Sequence, residues 1–420
     1  MSLYFMLIGY KDEVPFYMEI GRFVINIYFV GMLLMTKTSI RPQKLFIFNA
    51  LAVTLIVLFM KYMFILEDVG DFSVAIDSYT YLEKTLNYAN LDFSSFVDRL
   101  IDDNLFRDDL GFFTVTYFFA KIYPSKYLVI YGVIALNGIC LYVSMKFLYK
   151  LQMMLTDNHR MSLLTSVLYA SSPFLIVTDM MGLKEIVFVS IIILGYYYIY
   201  KAMNERSYKY LFIALPFVFM CMFFRTAIFY MMLIAVILSF YSSQKYGKIL
   251  MYIIIIVFII SSTILPYIME KVIGVSFDFI TSVADYRTAK GMKGQASYGR
   301  YVPLLAGLIG PFPNIDRSSL YAIMNSLPVY IKMTLSFSFI LSLYSIVKKV
   351  DYRFIPMVFF IVFNIWMTII AGVSLDLRYH ITYLPFFFII TTTFYKRRKL
   401  YDMLYLSITV LLVLVFSSRN

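Results

Sequence analysis

SSPFLIVTDMMGLKEIVFVSIIILGYYYIYK, residues 171–201, sets the reading of the whole chain. An apolar run stops at the turn Met180–Met181–Gly182, Lys184 and Glu185 follow, and a second apolar run closes on Tyr196, Tyr197, Tyr198, Tyr200 and then Lys201. A bilayer's hydrocarbon core, roughly 30 Å thick, needs about 20 apolar residues in a helix. Tyrosines followed by a lysine mark the level where such a helix meets the headgroups. The stretch therefore predicts the end of one transmembrane helix and a complete second one.

The same alternation runs through all 420 residues, of which 61% are hydrophobic, and the mean hydropathy is +0.78. Spans are predicted near 16–35, 45–66, 126–146, 160–178, 184–201, 209–224, 226–241, 249–269, 322–346, 354–373, 379–395 and 400–416. The expected fold is all-α: one polytopic integral membrane domain over residues 1–420, with about twelve transmembrane helices. Residues 110–123 (LGFFTVTYFFAKIY, followed by Pro124) are too short to cross, as are 301–313 (YVPLLAGLIGPFP). Both read as short interfacial or re-entrant elements belonging to two long loops, 67–111 and 270–321. Met1–Gly9 lack a basic n-region and a cleavage site, so no cleavable signal is expected. Cys140 and Cys221 fall in apolar runs and read as small packing residues.

Charge separates the two sides. Connections 36–44, 146–160, 201–209, 242–248, 348–353 and 396–402 carry 18 Lys/Arg against 4 Asp/Glu. By the positive-inside rule they face the cytoplasm. The opposite side holds loop 67–111, with 11 acidic and 3 basic residues. The net charge of +12 thus reports membrane orientation and does not point to nucleic acid.

A few cations break the pattern. Lys184 and Glu185 open a span; Arg225, in FVFMCMFFRTAIFYMML (217–233), has no charged neighbour within 15 positions; Arg300 precedes the apolar part of the second loop; Arg378 and His380 open RYHITYLPFFF. The plain readings are that Lys184 snorkels or pairs with Asp179, that Arg225 punctuates a helical hairpin, and that Arg378 pairs with Asp376. Four cations on one face favour instead a shared anionic ligand, because guanidinium groups bind phosphate bidentately. Asp77, in DSYTY (77–81), is the first candidate for a general base and His380 the second. The plain readings are a solvated acidic loop for Asp77 and a packing histidine for His380. No Gly-rich phosphate loop, HExxH or CxxC occurs, so neither metal nor cofactor is expected.

In layout the chain resembles the Wzy-type bacterial polysaccharide polymerases and the related EpsG-like polymerases. The resemblance rests on DSYTY at 77–81, RDDLGFF at 107–113, SSPFLIVTDMMGLKE at 171–185, FFRTA at 223–227, GPFPN at 310–314 and RYHITYLP at 378–385. It departs from EpsG-type patterns at Asp109–Leu110 and at Asn314.

The resemblance implies a GT-C-like, metal-independent glycosyltransferase of the bacterial inner membrane, working at the periplasmic face in O-antigen or lipopolysaccharide biosynthesis. It would transfer the growing chain from undecaprenyl pyrophosphate to a new lipid-linked repeat unit. The implied partners are that lipid-linked oligosaccharide, the bilayer and a chain-length regulator protein. Lys184, Arg225, Arg300 and Arg378 would hold the pyrophosphates, with Glu185 orienting Lys184. The alternatives are an O-antigen ligase, a polyprenyl-phosphate-sugar glycosyltransferase and a lipid-linked oligosaccharide flippase. Nearly charge-free span interiors disfavour the flippase, Lys332 being the main exception.

Overall fold

Long apolar runs without central breakers have one way to satisfy their backbone in lipid, which is the helix. In the computed structural model the described residues are 16–66, 76–102, 109–241, 306–310, 320–349, 351–373 and 377–394, with short pieces at 249, 252–253, 256, 403–405 and 407. Among them there is no strand. In chain order the helices are α1 (Phe16–Met35), α2 (Pro42–Leu66), α3 (Ile76–Asn87), α4 (Phe93–Asp102), α5 (Leu110–Ile122), α6 (Lys126–Thr156), α7 (His159–Ala170), α8 (Pro173–Met180), α9 (Glu185–Glu205), α10 (Tyr208–Met222), α11 (Thr226–Tyr241), α12 (Leu320–Lys349), α13 (Ile355–Ile370), α14 (Leu377–Ile381) and α15 (Leu384–Phe394).

Among the described residues five helical stretches are long and apolar enough to cross a bilayer: Pro42–Met63, Lys126–Thr156, His159–Met180, Glu185–Glu205 and Tyr352–Ile370. That is the pattern of a helical membrane protein. Helix α5 has 13 residues. At a rise of 1.5 Å per residue it measures about 20 Å, short of the hydrocarbon core. The described part of the first long loop is largely helical, since it contains α3 and α4. Helix α6 extends ten residues beyond the predicted end at 146, so most of connection 146–160 is helix.

Contacts divide the chain into two units: residues 1–230 with 316–325, and residues 231–315 with 326–420. In the first, α9 packs against α6 and α10, α6 against α2 and α7, and α3 against α5. The turn between α6 and α7 uses Asp157 in a left-handed conformation (φ 49°), and the next residue, Asn158, caps α7 through Met161 N at 3.0 Å. Arg206 closes α9 the same way, at φ 50°. A cation there complements the negative end of the helix dipole.

The predicted span 160–178 is broken at Ser171. The Ser171 hydroxyl donates to Asn49 Oδ1, while Asn49 Nδ2 donates to the Ala170 carbonyl at 3.3 Å. Tyr28 adds a bond to Asn49 Oδ1 at 2.6 Å. Side chains of α1 and α2 thus satisfy the groups freed by the break. Pro173, in the first turn of α8, restarts the helix without wasting a donor. Hydroxyls also bridge helices: Ser144 and Ser190 join α6 to α9 at 2.8 Å, and Thr85 and Thr116 join α3 to α5 at 2.8 Å.

The second unit packs Leu238, Ile355 and Phe359 together. It also stacks Phe339 on Phe387, with ring centroids 4.6 Å apart. Lys332 is fully buried there: its ammonium donates to the Gly307 carbonyl at 3.4 Å and to the Gly310 carbonyl, and lies 5.8 Å from the Tyr383 ring centre.

Candidate functional site

The site forms where three helix starts meet. Asp109 is the N-cap of α5, Lys184 is the N-cap of α9, and Arg225 immediately precedes α11. Gly182 ends the preceding turn at φ 66°, a conformation that costs a residue with a Cβ atom and costs glycine little. Its amide donates to Asp179 O at 2.9 Å and Leu183 N donates to Thr178 O at 3.3 Å, which aims Lys184 away from the end of α8. The three starts are tied directly: Gly111 N donates to Phe223 O at 2.8 Å, and the Lys184 side chain donates through Nζ to Phe224 O at 2.9 Å. Gly111 is required by this approach, because a Cβ atom there would lie 2.5 Å from the Phe224 ring.

Two ion pairs hold the cluster. Lys184 pairs with Asp109, whose Oδ1 also accepts from the Tyr81 hydroxyl at 3.1 Å. Arg225 pairs with Glu185 at 3.1 Å, and its guanidinium lies 5.9 Å from the Phe188 ring centre. Phe188 in turn stacks on Phe224 at 5.5 Å. Exposure is unequal: the Glu185 side chain is 3% exposed and that of Asp109 is 25% exposed. Lys184 and Arg225 are close enough to repel each other electrostatically, and Asp109 and Glu185 offset that repulsion.

The expectation that Glu185 orients Lys184 is thus modified. Glu185 binds Arg225, and the carboxylate paired with Lys184 is Asp109, which the sequence gives no more prominence than its acidic neighbours. Nor does Lys184 pair with Asp179, whose Oδ1 accepts from Asn137 Nδ2 at 2.7 Å. Asp109 carries one readable signal, an acidic residue directly ahead of an apolar helical run.

The other predicted residues belong to the second unit or lie, in whole or in part, outside the described residues. Asp77 is the second residue of α3, but its side chain lies outside the described part. Arg300 lies outside the described residues. Arg378 and His380 belong to the second unit. Arg378 is half-buried, with its guanidinium 5.4 Å from the Tyr379 ring centre. His380 is fully buried and shares a hydrogen bond with the Tyr383 hydroxyl at 2.6 Å.

Beside the cluster lies a cavity whose lining includes Lys61, Tyr81, Thr116 and Asp179 among apolar residues. Tyr81 belongs to both features. Among the described residues no group of three or more His, Cys, Asp or Glu side chains is arranged to hold a metal ion.

The cluster is chemically biased toward anions. Its two carboxylates balance its two cations, and three helix N-termini add a partial positive charge of roughly half a unit each. Unsatisfied amides at such ends are ready donors to phosphate oxygens. No family model, curated protein or solved structure matches the chain.

Proposed function

We propose that the chain is a Wzy-type polysaccharide polymerase of about twelve spans and GT-C-like architecture, located in the bacterial inner membrane with its active site facing the periplasm. It joins undecaprenyl-pyrophosphate-linked repeat units, with no metal or cofactor. The observation that supports this reading best is the meeting of three helix N-termini with Lys184 and Arg225 at one end of apolar helices. A lipid-anchored pyrophosphate needs such a place: positive, and within reach of the bilayer. Asp109, the more exposed carboxylate, yields Lys184 to the ligand, while the buried Glu185 keeps Arg225 oriented. As the glycosyl bond breaks, the two cations and the helix dipoles stabilise the charge gathering on the departing pyrophosphate.

The test is the surface polysaccharide of a deletion strain complemented with wild type, Lys184→Gln or Arg225→Gln, with membrane abundance checked. The expected result is that wild type restores long chains, and that the two variants leave single repeat units attached to the core. Wild-type-length chains from both well-expressed variants would refute the assignment. A deletion strain with no repeat on the core at all would point to a ligase.

A further inference from the structure

We infer that Asp179 is the proton acceptor of this site, and that the cavity beside it receives the hydroxyl of the acceptor sugar. The inference rests on the polymerase reading. Asp179 lies in the last turn of α8 with a fully buried side chain. Its Oδ1 is held by Asn137, but its Oδ2 has no hydrogen-bond partner among the described residues, and neither has Asn137 Oδ1. Two buried acceptor atoms on adjoining side chains, both lacking a donor, are costly unless something brings O–H groups to them.

The cavity limits what that can be. Its volume is about 40 Å³. That admits a hydroxyl or a water or two, and excludes a sugar ring. Lys61, also buried, lies on the same wall and acts electrostatically on Asp179. The opposed charges disfavour both a free anion and a metal cation, leaving a neutral hydroxylic group as the occupant. Phe112 and Val133 close the apolar side.

The cavity also adjoins the cationic cluster. Tyr81 lines the cavity and donates its hydroxyl hydrogen bond to Asp109, the partner of Lys184. Lys184 stands only two residues beyond Gly182, another lining residue. An acceptor hydroxyl at Asp179 and a pyrophosphate at Lys184 and Arg225 therefore lie on neighbouring walls. In the reaction the hydroxyl oxygen bonds to the donor's anomeric carbon. The bond from that carbon to the pyrophosphate oxygen breaks, and its electron pair leaves with the pyrophosphate. The hydroxyl proton passes to Asp179 Oδ2 and is later released to water. Neither an oxidant nor a metal is needed. Asp179 thus takes the role that the sequence assigned first to Asp77 and then to His380.

The test uses purified full-length protein in nanodiscs and the lipid-pyrophosphate-linked repeat unit that accumulates in the deletion strain. Asp179→Asn keeps the shape and the bond to Asn137 but is a far weaker proton acceptor; kcat should fall about 100-fold or more while KM stays within about threefold. Asp179→Glu should recover part of kcat. Val133→Leu narrows the cavity from its apolar wall and leaves the Asp179 carboxylate in place; it should raise KM for the repeat unit about tenfold, the lower end of what one methylene supplies in a pocket. Asp179→Asn retaining kcat within about twofold of wild type would overturn the base assignment. If that variant does not fold, an unchanged KM for Val133→Leu overturns it. Wild-type protein that elongates nothing overturns the functional reading, and this inference with it.

Discussion

The surroundings of two buried lysines differ in a way that separates chemistry from architecture. Lys184 meets a carboxylate and a carbonyl at the junction of three helix starts, next to a second ion pair. Lys332, within the long helix α12, donates to backbone carbonyls of residues 307 and 310 and faces an aromatic ring. A charge satisfied by backbone is a strut, because its partners are fixed by the fold. A charge satisfied by a partly exposed carboxylate can exchange that carboxylate for a ligand. Sequence alone singles out both lysines as cations at odds with their apolar surroundings, and only their partners tell them apart.

The comparison breaks first at Glu185. Replacing it with Leu removes the carboxylate paired with Arg225, whose side chain is only 17% exposed, and should destabilise the protein by about 3–5 kcal/mol, followed by thermal unfolding in detergent. Adding Arg225→Met should restore much of the loss, since the charge that lost its carboxylate goes with it. A loss for Glu185→Leu no larger than that of an exposed ion pair would mean that the cluster is not the anchor described here.

A smaller effect is expected at Lys332. Lys332→Met leaves the Gly307 and Gly310 carbonyls short of a donor, at a cost of about 1–3 kcal/mol. Chain elongation per folded molecule should be unchanged, which sharpens the distinction; a collapse of specific activity at normal stability would erase it. Smallest is Ser190→Ala, which removes the hydroxyl bridge from α9 to Ser144 of α6. Interhelical bonds of this kind average about 0.6 kcal/mol, so the expected change is a shift in melting temperature of a few degrees at most.

Much of the architecture was legible because its cause is local. The hairpin through Gly182, the helix boundaries around 126, 208 and 226, and the short helix at 110–122 follow from apolar runs, turns and prolines. The break at Ser171 was not legible, because the groups that satisfy it come from Asn49 and Tyr28, far away in the chain. The site was half visible for the same reason. Lys184, Glu185 and Arg225 announce themselves as isolated charges, but Asp109 is one of 11 acids in its loop and lies 75 positions from its partner. Asp179 entered the sequence reading only as a possible partner of Lys184; its unpartnered oxygen and the cavity exist only once α2, α3, α5, α6 and α8 have packed. His380 is buried and bonded to Tyr383, in keeping with its plain reading as a packing histidine, but the sequence could not name that partner's role.

The central claim is that the helix-start cluster holds a lipid-linked pyrophosphate. Its most direct test is equilibrium binding of undecaprenyl pyrophosphate to the purified protein in nanodiscs, comparing wild type with Arg225→Gln and Lys184→Gln variants shown to be folded. Saturable binding by wild type is expected, weakened at least tenfold, or about 1.4 kcal/mol, in each variant, with increasing salt weakening the wild-type interaction. Equal affinity of all three proteins would contradict it.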